Sequence, residues 1–125
     1  MVSDRGFSVV YDTAEHIFSQ MEEEKFRPDD SSAACENVRR YQNCDLLIVD
    51  DLGTEMVTSF VQSALYQLIN GRLLAGKKTV INTNLAPRQL GERYSPQVQS
   101  RLEGEYRVLP FFGEDIRKLR RRQQM

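Results

Sequence analysis

Metal-binding and disulfide chemistry are nearly absent from this chain: its 125 residues include two cysteines and one histidine. Cys35 and Cys44 show neither the paired spacing of a zinc site nor a disulfide framework, and they read as reduced thiols of a cytoplasmic protein. His16 stands alone on an expected helix, as a surface or packing residue. No apolar stretch approaches the roughly 20 residues a membrane helix needs, so no membrane is expected among the partners. Asp4, Arg5 and Gly6 precede any apolar run, so no signal peptide is expected. An excess of one charge is lacking too. The formal net charge is −1, and no global field draws the chain to nucleic acid or lipid.

A phosphate-binding loop is also missing. The run Gly71-Arg72-Leu73-Leu74-Ala75-Gly76-Lys77 satisfies G-x-x-x-x-G-K, but Lys78 stands where a Mg²⁺-ligating Ser or Thr is needed. Its context is inverted as well. A phosphate loop leaves a strand and enters a helix, whereas here a helix precedes and a strand follows. The run reads as a helix C-terminus with a glycine cap and a basic last turn.

What is present is an alternation of strand and helix signals over a single domain, residues 1–125. Strands are expected at Phe7–Tyr11, Leu46–Val49, Thr79–Thr83 and Tyr106–Phe111, the last interrupted by Pro110. Asp12 with Glu15 resembles a capping box opening a helix whose buried stripe holds Ile17, Phe18 and Met21. Arg27–Ala34 reads as a loop and Glu36–Gln42 as a short helix. Ser59–Ala75 has Phe60, Val61, Ala64, Leu65, Leu68, Ile69 and Leu73 at helical spacing. Short helices are expected from Pro87 and over Ser95–Leu102, and a basic one over Gly113–Arg122. Such alternation predicts an α/β parallel sheet. The apolar run Leu46–Val49 predicts a strand covered on both faces.

That run ends in Asp50-Asp51-Leu52-Gly53. In open parallel sheets, ligands sit outside the carboxyl ends of the strands, so both carboxylates belong to the ligand edge. An Asp at such a tip is the shape of a Walker B element, which helps hold Mg²⁺ on a nucleotide. Acidic turn residues are the alternative. Asn84 follows the next strand, where it serves either γ-phosphate sensing or turn chemistry before Pro87. Arg101 and Arg117 sit on expected helices, as functional cations or as solvated and salt-bridged ones. Arg117-Lys118-Leu119-Arg120-Arg121-Arg122 is locally basic: a solvated helix end, or a contact for the backbone of single-stranded DNA.

LLIVDDLG, TVINTNL, ERYSPQVQSRLEG and FFGEDIR, in this order and at these intervals, resemble the bacterial helicase-loader family (DnaC/DnaI type) of AAA+ ATPases. IstB-type transposition ATPases are similar enough to be an alternative. The resemblance implies a parallel-sheet P-loop NTPase core lacking its first strand and Walker A helix, which would precede Phe7. That missing strand would leave a gap beside Thr79–Thr83. It implies the cofactors ATP and Mg²⁺, with Asp50 holding Mg²⁺ through its hydration shell and Asp51 polarising the attacking water. Asn84 becomes the first sensor, Arg101 an arginine finger toward a neighbouring subunit, and Arg117 a second sensor. Positioning and positive charge are what phosphoryl transfer asks of a protein. The implied partners are a replicative helicase, single-stranded DNA and neighbouring copies of the chain, and the implied task is ATP-dependent helicase loading. Without the phosphate loop, the chain itself is expected to be inactive as an ATPase. A non-catalytic protein- or DNA-binding module is the alternative of another class.

Overall fold

The computed structural model describes residues 6–27 and 32–107. Three strands, β1 (Val9–Thr13), β2 (Leu46–Leu52) and β3 (Lys78–Thr83), form a parallel sheet in the order β1-β2-β3. Helices α1 (Ala14–Phe26) and α2 (Ala33–Asn43) connect β1 to β2, and α3 (Ser59–Leu74) connects β2 to β3. α4 (Pro87–Arg93) and α5 (Pro96–Glu105) follow. Leu46–Val49 and Thr79–Thr83 lie in adjacent parallel strands, with Leu47 opposite Thr79 and Val49 opposite Ile81. Among the described residues the outer edge of β3 pairs with no strand. Tyr106 and Arg107 are not in a strand; the remainder of the expected Tyr106–Phe111 strand and the Gly113–Arg122 helix lie outside the described residues.

Val10, Leu47 and Val49 point into a core closed by Ile17, Phe18 and Met21 of α1, Val38 and Tyr41 of α2, and Ala64, Leu65, Leu68 and Ile69 of α3. Leu90, Tyr94, Val98 and Leu102 extend that core under α4 and α5. The expectation that Leu46–Val49 is covered on both faces holds in part among the described residues: Leu47 and Val49 are buried, while Leu46 and Ile48 are half-buried. Tyr11, Ile48 and Val80 share one register row on the opposite face, and Tyr11 is 61% and Val80 45% exposed. An apolar run states that a strand is apolar on both faces; which faces are covered depends on the connections, and α1 to α3 pack together on one side.

Local capping sets the helix starts. Thr13 caps α1 by accepting from the His16 amide (3.2 Å), so the expected Asp12 cap is one residue early. Asp12 instead accepts from the Tyr41 hydroxyl (2.6 Å) and pairs with His16 Nδ1 (2.5 Å), tying β1 to α1 and α2. Ser32, Thr58 and Ser95 cap α2, α3 and α5 in the same way. The Gly71–Lys77 run is a helix end, as its context predicts. Gly76 takes φ +71°, and the Gly76 and Lys77 amides return to the carbonyls of Leu73 and Arg72.

Arg72 is the basic residue of the last turn of α3, and it is buried. It is 1% exposed. Its Nε donates to Thr79 Oγ1 (2.8 Å), Nη1 to the Tyr41 carbonyl (2.8 Å) and Nη2 to the Lys78 carbonyl (2.6 Å). The planar fork thus joins α3, the end of α2 and the start of β3.

Candidate functional site

The carboxyl edge of the sheet is shaped by a bulge in β2. Val49 faces the core, and strict alternation would turn Asp51 inward too, burying a charge without a partner. Asp51 instead adopts φ +60°, a left-handed conformation that Asp tolerates better than most residues, and the register shifts between Val49 and Leu52. The extra residue leaves Asp51 exposed and returns Leu52 to the core opposite Thr83. Bulges of this kind re-aim side chains beside functional sites.

Asp50 is held at both carboxylate oxygens. The Tyr11 hydroxyl donates to Oδ2 (2.5 Å), and Asn82 Nδ2 donates to Oδ1 (3.4 Å). The hydrogen bond from Asp50 pushes the Tyr11 phenol above its ordinary pKa, because ionisation would set two negative charges side by side. One end of each strand therefore contributes to a single acidic point.

Below it, the turn after β2 is anchored by Glu55, a buried carboxylate. Glu55 Oε2 accepts from the Gly53 amide (3.1 Å), and Oε1 accepts from the Tyr94 hydroxyl. Arg93 Nη2 donates to the Glu55 carbonyl. Burial, followed by this bond to Glu55, drives the Tyr94 pKa well up. Gly53 itself takes φ +109°, and a β-carbon there would meet Leu85 Cδ1 at 2.7 Å. Thr83 Oγ1 donates to the Leu52 carbonyl (2.6 Å), locking the ends of β2 and β3.

The expected site residues fall as follows. Asp50 and Asp51 stand at the tip of β2, and Asn84 is exposed just past the end of β3, at the same edge. The asparagine that touches Asp50 is Asn82, which sequence reading passed over. Arg101 is half-buried on α5, and among the described residues no hydrogen bond or ion pair joins it to the Asp50 cluster. Arg117 lies outside the described residues. Tyr11 and Glu55 were also unforeseen. Alternation alone carried a signal for Asn82, since it lies two residues from Val80 and so shares its face.

Among the described residues no group of three His, Cys, Asp or Glu side chains could hold a metal ion. The edge suits Mg²⁺ in a narrower sense. Mg²⁺ keeps most of its waters and takes one or two carboxylates plus substrate phosphates, and Asp50 with Asp51 supplies such a pair.

A scan of protein-family models and a search of curated proteins by sequence each give no match. Solved structures do match. The three-stranded parallel sheet with its helices is a fold shared with parts of these chains. The chain is similar to the DnaC helicase loader (TM-score 0.72, 18% identity, 84% of this chain and 62% of that one). It is similar to a DNA replication initiation factor (TM-score 0.71, 22% identity, 96% and 36%). A third match is the replication initiator DnaA bound to AMPPCP and single-stranded DNA (TM-score 0.68, 24% identity, 87% and 33%). The chain spans between a third and about three fifths of the length of these proteins.

Proposed function

We propose that the chain is a replication-initiation AAA+ module of the helicase-loader kind, working with ATP and Mg²⁺ at the carboxyl edge of its sheet. The observation that carries this reading is Asp50, a carboxylate fixed at both oxygens at the tip of a central parallel strand, in a fold shared with a helicase loader and a nucleotide-bound initiator. In this reading Asp50 holds Mg²⁺ through its waters, and Asp51, exposed beside it, polarises the attacking water. Asn84 and Asn82 stand at the phosphate side of the edge. Arg101 reaches the nucleotide of a neighbouring copy, and Arg117 acts as a second sensor. The bound metal supplies charge against the developing phosphoryl negative charge, and the chain's own residues supply position. A replicative helicase and single-stranded DNA are the partners this reading names.

The test is helicase loading onto single-stranded DNA by the protein that carries this core, read as strand unwinding. Asp50→Asn is expected to abolish ATP-dependent loading while Tyr11→Phe reduces it. Loading by the Asp50→Asn protein at the wild-type rate would overturn the reading.

A further inference from the structure

Helix α1 carries two stripes. Ala14, Ile17, Phe18 and Met21 face the core. Glu15, Glu22, Glu23 and Phe26 recur at helical spacing on a second side, lining with the edge of Phe18 a groove of about 650 Å³ that Met56 closes from the turn after β2. Phe26 is 63% and Met56 83% exposed, so the groove pairs apolar surface with carboxylates. Among the described residues Glu15, Glu22 and Glu23 enter no ion pair. Among the described residues Arg27 is the one cation in its lining.

We propose that this groove docks the basic run Lys118–Arg122 of a second copy of the chain. The run, preceded by Ile116, holds Lys118, Arg120, Arg121 and Arg122 around Leu119, with no acidic side chain from Ile116 to Met125. It therefore has the charge and the apolar anchors that the groove's lining complements. Nucleic acid is disfavoured as an occupant, because the groove's carboxylates repel phosphates. Met56, unbranched and flexible, adapts to an incoming Leu or Ile side chain. Each copy has one groove and one run, so the contact is head-to-tail. The inference does not rest on the proposed ATP-dependent function.

Sedimentation velocity of the full 125-residue chain over a range of concentration and salt provides the test. The wild type is expected to self-associate, and to do so less as salt rises. Glu22→Lys with Glu23→Lys, and separately Arg120→Glu with Arg121→Glu, should each weaken association by roughly tenfold or more, since like charges then meet. Mixing these two variants should restore association, because the reversed groove meets a reversed run. Met56→Ser, at a side chain outside the core, should weaken association several-fold; it guards against a charge variant that fails to fold, as judged by circular dichroism. A wild type that stays monomeric throughout, variants that associate like the wild type, or a mixture that remains monomeric would overturn the proposal.

Discussion

The hydroxyl of Tyr11 donates to Asp50 Oδ2 at 2.5 Å, across two neighbouring strands and 39 residues of sequence. Because Asn82 holds the other oxygen, the carboxylate at the strand tip has a set orientation instead of a free rotor. Asp50→Asn removes the charge that opposes ionisation of Tyr11. The Tyr11 phenol should then titrate closer to pH 10. NMR of ring-labelled tyrosine reads this directly. An unmoved Tyr11 titration would show that the two groups are not bonded in solution.

Arg72 is the buried clamp of the helical layer. Arg72→Ala strips donors from the carbonyls of Tyr41 and Lys78 and leaves a void, and should cost about 3 kcal/mol or more. Arg72→Lys should recover little, since an ammonium cannot span partners arranged around a planar fork. Urea denaturation of both variants measures this, and a loss below about 1 kcal/mol would assign Arg72 a smaller part.

Tyrosines also set an alkaline limit. The pKa values of Tyr41, Tyr94 and Tyr106 are raised chiefly by burial, with bonds to Asp12 and Glu55 adding to the first two. Below about pH 10 both folded and unfolded states keep these protons, and stability is flat in this respect. Above it the unfolded chain releases them first, so stability falls with rising pH up to the folded pKa values. Thermal melts from pH 8 to 11 should show this decline, and Tyr41→Phe, though less stable at pH 8, should decline less steeply.

The parallel sheet and its acidic tip were legible because both depend on local pattern: apolar runs of strand length, each closed by polar residues, with a capped helix between. The glycine cap at Gly76 was legible for the same reason, since helix-then-strand context settles what a glycine there does. Arg72 was not, because its partners are main-chain carbonyls 6 and 31 residues away, which no side-chain pattern announces. Asn82 was overlooked in favour of Asn84 although the register of Ile48 with Val80 and Val49 with Ile81 leads on to it, because the motif reading looked past the end of the strand. Tyr11 on its strand looked like one more apolar residue; its role depends on register with β2. Among the described residues the second face of Leu46–Val49 is only half-covered, because coverage is a property of topology.

The central claim is that the Asp50 tip is where this chain meets Mg²⁺ and nucleotide, weakly, because these 125 residues contain no phosphate loop. The most direct measurement is amide NMR of the chain titrated with ATP and Mn²⁺, which broadens nearby resonances. The account predicts selective broadening of Asp50, Asp51 and Asn82 that Asp50→Asn abolishes, with no saturation at micromolar ATP. Broadening centred on Glu22 and Glu23 instead, or saturation at micromolar ATP, would contradict it.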